Sequence, residues 1–186
     1  EKLDAAGTAL GTPLVMTGSG TTKILGNIAT VNIELKRRVS RFDIDNESAK
    51  TGLIIESVSL GNGRNQSTVM PGTLADLSDP DRATNLIQYP TAEGSYLMLP
   101  KANQGLTESA LYTYPLKDTD KAFLIIKGKY QNPMQKEPVP VEYHLDIQRI
   151  PDGGGDPKFM DVVANTRYTL HIKEVMEATI TAFFEI

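Results

Sequence analysis

The stretch RYTLHIKEV, residues 167–175, alternates apolar and polar side chains. Tyr168, Leu170 and Ile172 share one face of an extended chain, whereas Thr169 and His171 lie on the other. A helix would need apolar residues three and four positions apart. The stretch therefore predicts an antiparallel strand with one face on a core and one face in water.

The same period-two pattern recurs along the chain. Two denser apolar runs, LIIESVSL at 53–60 and AFLII at 122–126, predict strands with a more central position in a sheet. Further half-buried strands are predicted where apolar residues alternate with polar ones: Ala29, Val31, Ile33 and Leu35; Tyr143, Leu145 and Ile147; and Ala178, Ile180, Ala182, Phe184 and Ile186.

Turn residues separate these runs. GNGRN at 61–65, QNPMQKEPVP at 131–140 and PDGGGDP at 151–157 predict turns or hairpin loops, and only residues 73–77 hint at a helical turn. Many short strands separated by turns predict an all-β antiparallel sandwich, whereas a barrel fits the uneven strand lengths less well. The length allows one elongated sandwich domain or two small ones. If there are two, the loop-rich stretch at about 71–105, with its four prolines, is the candidate junction, and the domains would lie at 1–90 and 91–186.

Composition excludes several functions. The 186 residues include no cysteine and carry a net charge of −4, so disulfides and thiolate chemistry are excluded and no basic face for nucleic acid is expected. No apolar run reaches the roughly 20 residues that a membrane-spanning helix needs.

A search for catalytic or metal-binding groups finds none that converge. His144 and His171 are the only histidines, and both fall on the polar faces of predicted strands. The acidic loop residues match no calcium-binding spacing: Asp76, Asp79, Asp81, Asp118, Asp120, Asp152 and Asp156. Four tyrosines are candidates for lining a groove, with packing in or around the core as the alternative: Tyr89, Tyr96, Tyr112 and Tyr114. The glycine triplet at 153–155 lacks the lysine of a phosphate loop. We therefore expect no enzyme, no cofactor and no metal.

Several strings of residues carry a resemblance to a known family. PLVMTG at 13–18 is followed by VNIELKRRVSRFDIDN at 31–46 and LIIESVSLGN at 53–62. Further along lie SALYTYP at 109–115, FLIIKGKY at 123–130 and ANTRYTLHIKEV at 164–175. Together these strings resemble the fimbrillins of Bacteroidetes and their Mfa-like surface relatives; they occur in that family's order and cover most of the chain.

The resemblance implies a transthyretin-like β-sandwich in the structural subunit of a type V-like fimbria or pilus that supports cell adhesion. It also implies export as a lipoprotein to the outer membrane and cell surface, with the signal outside this chain. Assembly with itself or with other fimbrial subunits would proceed by strand exchange, and a host protein or glycan is a further implied partner.

The candidate polymerisation strand lies at 177–186. Its apolar face would consist of Ala178, Ile180, Ala182, Phe184 and Ile186, which alternate small and large side chains. The alternative is an ordinary final strand within its own sheet. For the whole chain, the alternative functions are a non-polymerising surface lipoprotein domain that binds a glycan or host ligand, and an accessory domain of a larger hydrolase.

Overall fold

The computed structural model describes residues 16–67, 83–87, 97–98, 104–132, 134 and 137–186. Within these residues the chain is almost entirely extended. The strands are β1 Met16–Thr17, β2 Lys36–Arg37, β3 Ser40–Glu47, β4 Leu53–Gly61, β5 Gly63–Ser67, β6 Ala83–Ile87, β7 Leu97–Met98, β8 Gln104–Thr113, β9 Phe123–Tyr130, β10 Val139–Asp146, β11 Gln148–Arg149, β12 Lys158–Phe159, β13 Arg167–Val175 and β14 Ile180–Glu185. One helical turn, α1, spans Ser48–Thr51, and a 3₁₀ turn spans Asp118–Asp120.

Two four-stranded sheets form the sandwich. One has the order β14-β13-β3-β8 and the other the order β10-β9-β4-β7. Neighbouring strands are antiparallel except β3 and β13, which run parallel. The predicted all-β sandwich is confirmed, and so is the central position of the two dense apolar runs, which form β4 and β9.

A single core joins the two sheets. Phe42 on β3 and Tyr168 on β13 stack with ring centroids 5.2 Å apart, and they face apolar side chains from β4, β9 and β10. The least exposed core side chains are Phe42, Ile44, Leu53, Leu116, Leu124, Ile126 and Val162. Burying each of these large apolar side chains contributes about 1.5–3 kcal/mol, so this core holds the sheets together.

The strands do not divide at residue 90. Strand β3, from the first half of the sequence, lies between β8 and β13 from the second half, and β4 pairs with β9 in the other sheet. Among the described residues, strands from the predicted domains 1–90 and 91–186 therefore share both sheets and one core.

Two of the three predicted turns are confirmed. β9 pairs antiparallel with β10 on either side of the predicted loop, and residues 150–157 connect β11 to β12. The third, at 61–65, is shorter than predicted: Gly61 ends β4 and Gly63 begins β5, so only Asn62, with a φ of 55°, lies between the strands. Gly154 and Gly155 have φ angles of 77° and 110°, which glycine adopts without steric strain. Residues 73–77, the predicted helical turn, lie outside the described residues.

Buried hydrogen bonds fix the turn between β3 and β4. Nδ2 of the Asn46 side chain donates to the backbone carbonyl of Leu53 at 2.9 Å, and the Thr51 hydroxyl donates to Oδ1 of the same Asn46 side chain at 2.8 Å. Gly52 ends the helical turn with a φ of 71°. Asn46 is fully buried, so its hydrogen bonds are shielded from water and stabilise this turn.

Candidate assembly interface

Strand β14 is an edge strand with one partner. It pairs antiparallel with β13 over Leu170↔Phe184 and neighbouring positions, and among the described residues no strand pairs with its other side. The preceding turn is short, because the N–H of Met176 donates to the Thr179 carbonyl at 2.8 Å and the N–H of Thr179 donates back at 3.3 Å. Because β13 is the strand that pairs with β14, withdrawal of β14 from the sheet would break the backbone hydrogen bonds of this one pairing.

The inner face of β14 is only partly covered. Ile180, Ala182 and Phe184 are half-buried against the core, and the Phe184 ring lies edge-on to Phe42 at 6.1 Å. The two ends of the predicted apolar face differ, since Ala178 is exposed in the turn before the strand and Ile186 is 62% exposed after it. The five predicted residues therefore divide into three that contact the core and two that do not.

The outer face of β14 is fastened by a histidine. Nδ1 of His171 lies 2.9 Å from Oδ2 of Asp45, and Nε2 of His171 lies 2.8 Å from Oε2 of Glu185. The imidazole also stacks on Phe183 at 5.0 Å, and the Lys173 ammonium lies over the same ring. One side chain thus links β3, β13 and β14.

Carboxylate groups hold both histidines in place. Both ring nitrogens of His171 are occupied by carboxylate oxygens, so neither faces a hydroxyl that it could deprotonate. His144 is bonded to Glu142 at 3.0 Å and stacks on Phe123. Hydrogen bonding to His144 lowers the pKa of the Glu142 carboxyl, with Lys127 adding to the effect.

An apolar arm precedes the sandwich. Residues 16–37, here called the arm, are joined at their ends by β1 and β2 and at their tip by the bridge between Leu25 and Ile28. Leu25 and Ile28 are each 81% exposed. The other large exposed apolar side chains of the arm are Met16, Ile24, Val31, Ile33 and Leu35.

The arm corrects one prediction. Residues 29–35 were predicted as a half-buried strand, but they lie in no strand and all are exposed. The segment does alternate apolar and polar residues, but neither face of it packs on the core of the sandwich. Its neighbour in the arm is the glycine-containing limb at 18–24, whose backbone approaches closely because Gly18 and Gly20 lack a Cβ.

The remaining candidate groups serve the fold. The carboxylate of Asp120 accepts the N–H of Lys117 at 2.9 Å, and that of Asp161 accepts the N–H of Asp118 at 2.9 Å. Tyr114 is buried, so it lines no open groove. Asp76, Asp79, Asp81, Tyr89 and Tyr96 lie outside the described residues.

In the described part of the chain, no three histidine or carboxylate side chains come close enough to hold a metal ion. Within the same residues, no helix has the length and apolar character needed to cross a bilayer.

The chain is similar to the tip fimbrial protein Mfa3 of Porphyromonas gingivalis with a C-terminal truncation, at 15% identity and a TM-score of 0.46. The match covers 83% of this chain and 52% of that protein, so the chain spans about half of its length. No protein-family model matches, and no curated protein matches.

Proposed function

We propose that this protein is a non-catalytic structural subunit of a bacterial surface fimbria, which assembles with further subunits by exchange of β14. The observation that carries the proposal is that β14 is an edge strand with an incompletely covered apolar face. The resemblance of the sequence to fimbrillins supports the same role. Export as a lipoprotein and adhesion belong to this proposal.

Exchange of β14 between copies changes the free energy little. When β14 moves to a neighbouring subunit, its pairing with β13 and its contacts with the core are lost in one molecule and re-formed in the next. The turn at 176–179 is only four residues long, and short hinges favour exchange between molecules over closure within one. The free-energy difference is therefore small, and subunit concentration decides the outcome.

The arm supports an assembled state. Its large apolar side chains are exposed in the single chain, and such surfaces in monomeric proteins usually mark an interaction site. Its alternating segment at 29–35 has the pattern of a strand that needs an apolar surface on one side. Assembly would cover this segment.

A labelled peptide tests the proposal. A peptide of residues 177–186, added to the full chain, should enter the place of β14 in a neighbouring subunit and shorten the polymers, as measured by fluorescence size-exclusion chromatography and electron microscopy. A control peptide carrying Ile180→Asp and Phe184→Asp should not bind, because both charges would meet the core. A chain that remains monomeric and does not bind the peptide would contradict the proposal and favour a solitary surface domain.

A further inference from the structure

A second surface is strongly basic. An open cleft of about 440 Å³ lies where β2, β3, β8 and β13 meet the loop at 163–166. Three arginines line it, Arg37, Arg41 and Arg167, together with Tyr112 and Asn165. This arrangement stands out in a chain with a net charge of −4.

The arginines are set side by side by strand register. Arg167 on β13 is the direct partner of Arg41 on β3, and Arg41 is the direct partner of Tyr112 on β8. Because partners in register point to the same face of a sheet, two guanidinium groups and an aromatic ring lie in one row.

Only part of this charge is neutralised. Arg41 binds Asp43 at 2.8 Å and Glu108 at 3.5 Å, and the hydrogen bond to Asp43 raises the pKa of Arg41. Among the described residues, the exposed side chains of Arg37 and Arg167 form no such ion pair. Two guanidinium groups thus remain for a ligand, each able to bind a carboxylate with two parallel hydrogen bonds.

The cleft is built on a rigid base. The N–H of Arg41 donates to the Thr166 carbonyl at 3.0 Å, and the N–H of Asn165 donates to the Val39 carbonyl at 2.9 Å. The N–H of Arg37 donates to the Asn165 side chain at 3.2 Å. These bonds hold the three segments that carry the arginines in one arrangement, so a ligand would not have to order them.

We propose that this cleft binds a sugar that carries a carboxylate. Arg37 and Arg167 would bind the carboxylate, the ring of Tyr112 would contact the apolar face of the sugar, and Asn165 would bind a hydroxyl group. The volume lies within the range of small-molecule sites. The site is separate from β14, so it gives the subunit a ligand whether or not the chain polymerises.

The test is a titration of the full chain followed by the chemical shifts of its backbone amides. The probes are N-acetylneuraminic acid and glucuronic acid, which represent two sources of acidic sugar, with galactose and acetate as controls. We expect saturable shifts around the cleft with at least one acidic sugar, and roughly tenfold weaker binding of galactose and acetate, because each lacks one half of the recognised group.

Variants assign the binding to the cleft. Arg37→Gln and Arg167→Gln should each weaken binding roughly tenfold, the loss of a charged hydrogen-bonding group. Arg149→Gln, an exposed arginine on β11 outside the cleft, should leave binding unchanged. Absence of saturable shifts, acetate binding as strong as that of the sugars, or an equal loss in Arg149→Gln would overturn the proposal. None of these outcomes bears on strand exchange.

Discussion

Nε2 of His171 lies 2.8 Å from Oε2 of Glu185, and this bond fastens the outer face of β14 to its own sheet. Nδ1 of the same ring faces Asp45 on β3. This one side chain of β13 therefore connects β14 with β3.

The first prediction follows from this bridge. His171→Phe keeps an aromatic ring beside Phe183 but removes both hydrogen bonds to carboxylates. We expect faster amide hydrogen exchange in β14 of this variant, because the strand loses a side-chain attachment. His144→Phe, in the other sheet, is the control and should leave exchange in β14 unchanged. Equal exchange rates in His171→Phe and in the native chain would contradict the role of the bridge.

Two adjacent phenylalanines on β14 should respond differently to truncation. Phe184 is half-buried against Phe42, whereas Phe183 is 48% exposed on the outer face. We expect Phe184→Ala to lower the free energy of unfolding by roughly 2 kcal/mol, about half the effect of a fully buried phenylalanine. Phe183→Ala should have an effect below about 1 kcal/mol. Urea denaturation measures both, and equal losses would contradict the placement of β14.

Gly128 in a sheet and Gly153 in a loop form a matched pair of substitution sites. A Cβ on Gly128 of β9 would collide with the backbone carbonyl of Ile54 on β4, whereas a Cβ on Gly153 would meet nothing within 4 Å. Gly128→Ala should lower stability by about 1–3 kcal/mol. Gly153→Ala should be neutral or slightly stabilising. Thermal melting of both variants checks the close approach of β4 and β9.

Stability should fall at alkaline pH. Burial raises the pKa of the Tyr168 phenol above its ordinary value of 10.0. As pH rises, the unfolded chain releases this proton at a lower pH than the folded chain does. The contribution of Tyr168 to the free energy of unfolding is therefore fully present below about pH 10 and decreases above it. Burial also raises the pKa of the Tyr143 phenol. Tyr168→Phe should make the decline in urea-denaturation stability shallower without removing it; an equally steep decline would contradict the role of Tyr168.

The sequence predicts the sandwich well because its signal is local. Alternation at 167–175 and the dense runs at 53–60 and 122–126 give strand positions that the structure confirms. Alternation does not report what covers a strand, which is why residues 29–35 were placed in a sheet and lie exposed. Alternation indicates that one face of a segment needs an apolar partner, but the segment's own sequence does not identify that partner.

Register explains what the sequence could not show. The parallel pairing of β3 with β13 joins positions more than 120 residues apart, and it alone brings Arg41 beside Arg167 and Asp45 beside His171. The signals available were the basic run at 36–38 and a histidine on a polar face. They predict exposed charge, but not which strand lies beside which. The short helical turn at 48–51 was also missed, because four residues carry no periodicity.

The most direct test of the assembly proposal is a disulfide that locks β14 to β13. The native chain has no cysteine, so Glu174→Cys with Thr181→Cys, an exposed cross-strand pair, would form the only disulfide. Lys127→Cys with Glu142→Cys, paired across β9 and β10, is the control that leaves β14 free. We predict that the oxidised β13–β14 pair stays monomeric by size-exclusion chromatography and polymerises after reduction, whereas the control polymerises in both states. Polymers of equal length from the locked and reduced β13–β14 protein would contradict exchange of β14.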